Sequence, residues 1–211
     1  MPLRAAIFDF DGTLADSLGL ALAVCNEVAP RFGLRQISTA DVERCRTLSS
    51  QELLRELGVP LWQLPQLMHA VRAGMAQRIG EVQLFPGIGE TLAALRQAGV
   101  RCGVLTSNSE GNVRAVFTAA GVPPPELLSC GVSLFGKGTR LRRLLRSANI
   151  PAAEACLIGD EQRDVAAARE AGAPAVAVRW GYGEPAALAA AQADFVAESP
   201  AALLAWLTSA G

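Results

Sequence analysis

From about Pro86 to the end, this chain alternates short apolar runs with Ala-, Leu- and Arg-rich helical segments. Few folds accept that alternation. Strands buried on both faces read as continuous apolar runs, and the helices between them serve as crossovers, so the pattern predicts a parallel sheet with helices on its faces. Strands are expected over 101–106, 128–132, 155–158, 175–178 and, more weakly, 194–196. Helices are expected over 89–97, 111–120, 138–147, 163–171, 185–191 and 200–208, with Gly99, Gly121 and Gly172 at three of their ends. Near the start, Ala5-Ala6-Ile7-Phe8 is another apolar run of the buried-strand kind.

Residues 16–84 have a different texture. They are helix-patterned over 18–32, 39–45, 50–57 and 64–79, with no convincing strand, and Pro60 and Pro65 break the run into antiparallel pieces. Ser17 is a candidate cap for the first of these helices, and Ser38-Thr39-Ala40-Asp41 offers a second cap signal. The stretch begins directly after the loop that ends the first strand. Because open parallel sheets bind ligands beyond the carboxyl ends of their strands, an insertion there reads as a helical cap rather than as one more layer of the sheet domain.

The loop itself carries the chemistry. In Ile7-Phe8-Asp9-Phe10-Asp11-Gly12-Thr13-Leu14, two aspartates stand one residue apart at a strand end and a glycine lets the chain turn. Residues two apart on an ideal strand point the same way. Two carboxylates so close repel unless a cation or a shared proton lies between them. A hard divalent ion such as Mg²⁺ takes oxygen ligands and tolerates partial hydration, so the arrangement reads as a phosphoryl-transfer site.

Three further segments complement it. The strand expected at 101–106 ends in Thr106-Ser107-Asn108-Ser109, where a hydroxyl followed by free backbone N–H groups suits an anion; a helix cap has the same composition. The chain has very few lysines, and Lys137 precedes a helix, where on its own it reads equally as a solvated surface residue. Gly159-Asp160-Glu161-Gln162-Arg163-Asp164 supplies a second carboxylate pair before an alanine-rich helix and Gly172, and Asp160 also suits a helix N-cap. Were Asp9, Asp11, Asp160 and Asp164 to converge beside Lys137 alone, each like-charge contact near 4 Å would cost about 4 kcal/mol at an effective dielectric of about 20. Magnesium would remove most of that repulsion, and without it one of these aspartates should have a raised pKa.

In this order, the four segments resemble the four motifs of the haloacid-dehalogenase-like phosphohydrolase superfamily, and the resemblance spans the whole chain. DxDGTLxDS is similar to the first motif. Thr106 stands where the second motif has Thr or Ser, Lys137 where the third has a lysine opening a helix, and GDxxxD is similar to the fourth, with Glu161 and Arg163 at variable positions. The resemblance implies an α/β fold: a Rossmann-like parallel core at 1–15 and 86–211 with an α-helical cap at 16–85. It implies Asp9 as the nucleophile that forms an aspartyl-phosphate and Asp11 as the acid and base that serves the leaving oxygen and then water. Magnesium would be held by Asp9, the Asp11 backbone carbonyl and Asp160, with Asp164 positioning Lys137 or a metal-bound water. Thr106 and Lys137 would stabilise the phosphoryl group, with Ser107 or Asn108 as a second phosphate contact.

Within the family, dehalogenases lack the second aspartate of the first motif and need no metal, so Asp11 argues against dehalogenation. Phosphonate-cleaving relatives use a cap lysine, and residues 16–85 contain none. Length, insertion and the Phe85-Pro86-Gly87 step into the second core segment are most similar to phosphoglycolate-phosphatase-like members. The expected activity is Mg²⁺-dependent hydrolysis of a small phosphorylated metabolite. A sugar phosphomutase and a non-catalytic phosphate-binding regulator are the alternatives. Arg46, Ser49, Ser50 and Arg72 are candidates to face the substrate from the cap.

Composition excludes other classes. A net charge of −1 without a basic run gives no general attraction for nucleic acid or anionic membrane, and no apolar run approaches the ~20 residues that span a bilayer. The expected partner is a small phosphate ester; oligomeric state is left open. Five scattered cysteines without a CxxC pair read as reduced thiols of a cytoplasmic protein, and a first strand within a few residues of Met1 leaves no room for a signal peptide. His69, the only histidine, gives no zinc spacing. Gly131-x-x-x-x-Gly136-Lys137 approaches a nucleotide-binding P-loop, but Gly138 stands where Ser or Thr must bind Mg²⁺. Trp180-Gly181-Tyr182-Gly183 reads either as the rim of a pocket or as a plain glycine-rich turn with packing aromatics.

Overall fold

A computed structural model of the chain describes residues 3–42, 58–131 and 136–209. The chain divides into two compact units, one formed by Met1–Asp16 with Gln83–Gly211 and the other by Ser17–Val82. The strands are β1 (Ala5–Phe8), β2 (Ala15–Asp16), β3 (Gln83–Leu84), β4 (Arg101–Leu105), β5 (Leu127–Ser129), β6 (Ala155–Gly159), β7 (Ala175–Val178) and β8 (Phe195–Ala197). The helices are α1 (Leu18–Val28), α2 (Leu64–Gln77), α3 (Ile88–Gln97), α4 (Glu110–Ala119), α5 (Lys137–Ser147), α6 (Gln162–Ala171), α7 (Pro185–Ala191) and α8 (Pro200–Ser209).

The first unit is built on a six-stranded sheet in the order β5-β4-β1-β6-β7-β8. Every pairing in it is parallel. Every residue of β1, β6 and β7 is buried, as continuous Ala, Ile and Val runs require. The order is that of a Rossmann-like doubly wound sheet, and it reverses at β1, the switch point at which such sheets bind ligands. In register, Ala6 lies between Cys102 and Cys156. Part of the core joins Leu141, Leu144 and Leu145 of α5 and Val165, Ala168 and Ala171 of α6 to Ile7, Leu105 and Leu157 of the sheet. Each such leucine contributes about 1.5–3 kcal/mol by burial, so a charge at Leu141, which has no exposed surface, would break this layer.

The remaining strands shift slightly from their expected bounds. The run expected at 128–132 forms its strand at Leu127–Ser129, and the last strand lies at Phe195–Ala197. One element escaped the sequence reading altogether. Around the helix-patterned stretch, β2 and β3 pair antiparallel, Ala15 with Leu84 and Asp16 with Gln83.

In the second unit, α1 stops before Pro30 and continues as the 3-10 turn Ala29–Phe32, closed by Gly33. Pro65 falls in the first turn of α2, where its missing N–H costs nothing. Gly74 of α2 admits Val24 of α1: a Cβ there would lie 2.6 Å from its Cγ1. Ser17 stands at the N-cap of α1 but makes no side-chain cap bond, whereas the Asp41 carboxylate accepts hydrogen bonds from both the N–H (3.0 Å) and the hydroxyl (2.7 Å) of Ser38. Of the segment expected as a helix at 39–45, Thr39–Asp41 is a 3-10 turn. Residues 43–45 and the expected helix at 50–57 lie outside the described residues. Among the described residues, no helix is long and apolar enough to cross a membrane.

Candidate active site

β1 ends at Phe8, so the two aspartates leave the strand rather than lying along it. The Asp9 N–H still donates to the Ile158 carbonyl of β6 at 2.8 Å, which extends the ladder by one bond. Phe10 is fully buried between them and anchors the loop, so Asp9 and Asp11 enter different surroundings. Asp9 is buried. Its Oδ1 accepts from the Phe10 N–H (2.8 Å) and its Oδ2 pairs with Lys137 Nζ (2.8 Å). Lys137 Nζ also pairs with Asp164 Oδ1 at 2.6 Å. Asp160 is buried as well, with Thr13 Oγ1 donating to its Oδ1 (2.8 Å) and the Tyr182 N–H to its Oδ2 (2.9 Å). Asp9, Asp160 and Asp164 each offer an oxygen within 4.8 Å of the others. The Asp11 carboxylate is not in that trio; it accepts from the Asn108 amide at 3.2 and 3.4 Å.

Local sequence explains these placements. Gly12 adopts φ +80°, and a Cβ on it would lie 2.8 Å from the carboxylate carbon of Asp160, so only glycine allows the two loops to meet. The Phe10 carbonyl accepts from the N–H groups of Leu14 and Ala15, each at 2.9 Å, which closes the turn. The N-cap of α6 is Glu161 rather than Asp160. Asp164, in the first turn, accepts from the Glu161 N–H through Oδ2 (3.1 Å) while Oδ1 holds Lys137. Lys137 opens α5 and is the only lysine in the chain. At the end of β4, Thr106 is buried and its Oγ1 accepts from the Asn108 N–H at 3.0 Å. The cap of α4 is Ser109, which accepts from the Asn112 N–H. Thr106 and Ser107 therefore do not serve as that cap, and Ser107 is exposed.

Three carboxylates face one ammonium, so fully ionised the cluster carries two uncompensated negative charges. Burial, with Asp164 and Asp9 adding their repulsion, pushes the Asp160 carboxyl up to about 7. Burial also raises Asp164 against the pull of Lys137. For Lys137, burial opposes the charge, but Asp164 and Asp9 outweigh it and hold the ammonium above its ordinary range. An all-oxygen, anionic donor set with excess charge suits a hard divalent cation such as Mg²⁺.

Sequence reading gives Thr13 no role of its own, and offers Tyr182 only within a segment that is either a pocket rim or a plain turn. Thr13 lies in the aspartate loop, but its partner Asp160 stands 147 residues away. Tyr182 belongs to the Trp180–Gly183 segment, whose glycines are the only local signal of close approach. Elsewhere, His69 and Arg72 are exposed on α2, while Arg46, Ser49 and Ser50 lie outside the described residues.

The haloacid dehalogenase-like hydrolase family matches residues 6–178, most of the chain and all four of the acidic, Thr106 and Lys137 segments. A phosphoglycolate phosphatase from Synechococcus elongatus is 37% identical over 96% of both chains. A plasmid-encoded phosphoglycolate phosphatase from Cupriavidus necator is 30% identical over 100% of this chain and 95% of its own. A crystal structure of a predicted phosphoglycolate phosphatase from Haemophilus somnus superposes with a TM-score of 0.82 over 97% of both chains at 22% identity, which speaks for the fold alone. A sheet that reverses at the aspartate strand, the acidic residues gathered at that reversal, and end-to-end similarity to these relatives lead to one conclusion: the chain belongs to the haloacid dehalogenase-like hydrolases, as an enzyme of their phosphatase kind.

Proposed function

We propose that this protein is a Mg²⁺-dependent phosphatase of small phosphorylated metabolites, 2-phosphoglycolate foremost, working through an aspartyl-phosphate on Asp9. The observation that carries this reading is the buried trio Asp9, Asp160 and Asp164 with Lys137 as its paired cation. The choice of ester is supported by the phosphoglycolate phosphatases to which the chain is similar.

The Asp9 carboxylate is held at both oxygens, by the Phe10 N–H and by Lys137, and so is oriented before substrate arrives. In the first step an Asp9 oxygen forms a bond to phosphorus as the bond to the ester oxygen breaks. Asp11, entering as the carboxylic acid, gives its proton to that oxygen and the alcohol leaves. In the second step the Asp11 carboxylate takes a proton from water, the water oxygen bonds to phosphorus, and the Asp9–phosphorus bond breaks to release inorganic phosphate. Asn108 orients Asp11 through its amide. Lys137 offsets the charge of the phosphoryl oxygens, and Thr106, with Ser107 as a further contact, donates hydrogen bonds to them. Mg²⁺, held by Asp9, Asp160 and the Asp11 carbonyl, would neutralise the carboxylates and the phosphate together. Asp164 positions Lys137.

Residues 16–85 serve in this reading as the cap domain that chooses the leaving group, and the separate compactness of Ser17–Val82 supports that role. A cytoplasmic setting belongs to the same proposal: Cys25, Cys102, Cys130 and Cys156 are free thiols. The test is phosphate release from 2-phosphoglycolate and a panel of small esters, with and without Mg²⁺, beside Asp9→Asn. Turnover should require Mg²⁺ and fall at least about 10³-fold in the variant. A folded, Mg²⁺-loaded protein that releases phosphate from none of the esters would sink the reading.

A further inference from the structure

The loop after β7 holds the acidic site from several sides. Trp180 Nε1 donates to the Thr13 carbonyl at 3.0 Å, and the Tyr182 N–H donates to Asp160 Oδ2 at 2.9 Å. The Tyr182 hydroxyl donates to the Ala15 carbonyl at 3.1 Å and stands 3.3 Å from Asp16 Oδ1. Two glycines flank Tyr182. A Cβ on Gly181 would overlap the Asp160 side chain and the Gly12 carbonyl, and one on Gly183 would overlap the Asp160 carbonyl oxygen. Thr13 in turn donates its hydroxyl to Asp160 Oδ1. The contacts close a circuit from Asp160 through Thr13 and Trp180 to Tyr182 and back to Asp160.

The circuit fixes each oxygen of one buried carboxylate with a donor from a different segment, 147 residues away for Thr13 and 22 for Tyr182. A carboxylate oxygen with one donor still has a lone pair to offer, so the circuit sets the plane of Asp160 without using up its capacity as a ligand. The same loop packs toward the β2/β3 ribbon, with the Tyr182 and Phe85 ring centroids 6.4 Å apart.

We propose that Trp180–Gly183 is a positioning loop that sets the divalent-cation affinity of this enzyme through Asp160, with no part in bond making. The inference rests on the Mg²⁺ reading given above. A turn that merely packs would change stability and leave Mg²⁺ affinity alone.

The test titrates Mg²⁺ by calorimetry into metal-free wild type, Trp180→Phe and Gly181→Ala, with thermal melts in chelator to report folding. Trp180→Phe keeps an aromatic ring and removes the N–H that holds Thr13; Gly181→Ala drives a methyl into Asp160. Mg²⁺ affinity should fall roughly three- to tenfold in the first and about tenfold or more in the second. In turnover assays, the Mg²⁺ concentration for half-maximal rate should rise by more than kcat falls. If Gly181→Ala does not fold, Trp180→Phe, which adds no atoms, carries the test. Wild-type affinity in folded Trp180→Phe would overturn the proposal. A wild-type protein that takes up no Mg²⁺ would instead overturn the metal reading beneath it.

Discussion

A single cation set between two carboxylates occurs in each unit of this protein, in opposite environments. In Ser17–Val82, Arg78 pairs with Glu27 (2.5 Å) and Glu81 (2.8 Å), with side chains 34%, 60% and 57% exposed. In the sheet unit, Lys137 pairs with Asp9 and Asp164 at similar distances, with side chains 11%, 5% and 1% exposed. Water screens the first set, and exposed pairs of that kind contribute little. The second set has lost its water, and pairing alone seldom repays such desolvation. It also stands beside Asp160, a third carboxylate with no lysine or arginine paired to it among the described residues. Pair geometry is therefore the same at a surface and at a site; burial together with surplus acid marks the site.

That contrast can be broken most directly at its two cations. Lys137→Met should lower phosphate release about 10²- to 10³-fold. It should also destabilise the metal-free protein by about 3–5 kcal/mol at pH 8, because two buried carboxylates lose their partner. Denaturant titrations should show a smaller loss at pH 5, where Asp160 takes up a proton and the buried negative charge falls.

The pH dependence of the wild type sharpens the same point. In metal-free protein Asp160 ionises near 7 when folded and near its ordinary 3.8 when unfolded. Its contribution to stability is thus complete below pH 3.8 and is lost as pH rises through 7, a decline on the order of a few kcal/mol. Melts in chelator should accordingly fall from pH 5 to 8, and the gain on adding Mg²⁺ should be larger at pH 8. A gain independent of pH would show that Asp160 is not the group being relieved.

Smaller effects follow at the periphery. Asn108→Ala, which removes the amide donor to Asp11, should lower kcat about tenfold and change KM less. Arg78→Ala should leave both phosphate release and the thermal midpoint at wild-type values. A loss from Arg78→Ala comparable to that of Lys137→Met would refute the distinction between the two sets.

What the sequence made legible was local. The strand expected at 175–178 occurs at Ala175–Val178, because a parallel strand buried on both faces must be a bare apolar run. Asp9, Lys137, Asp160 and Asp164 each sit at a strand or helix boundary that glycines and apolar runs announce. Less legible was anything decided by a distant partner. The β2/β3 strands are two residues each and have no period to detect; pairing alone defines them. For Lys137, position alone reads equally as a solvated surface residue; the family resemblance, not the local pattern, puts it beside Asp164, although its being the only lysine is a signal too. Asp160 is expected as a metal ligand but suits a helix cap equally, because capping and ligation favour the same residue at the same place. The cap is Glu161, one residue on, and Asp160 is turned instead toward Thr13 and Tyr182.

The ribbon has a consequence of its own. Ala15 opposite Leu84 and Asp16 opposite Gln83 make the points where the chain departs and returns into neighbours. To a polymer, everything between them is a loop whose ends are already joined, and doubling its length costs only about 0.6 kcal/mol. The registers of the six-stranded sheet are set by pairings that lie outside that stretch. The ribbon is a clasp: it holds the two ends of that stretch together, so the cost of closing the stretch depends only weakly on how long it is.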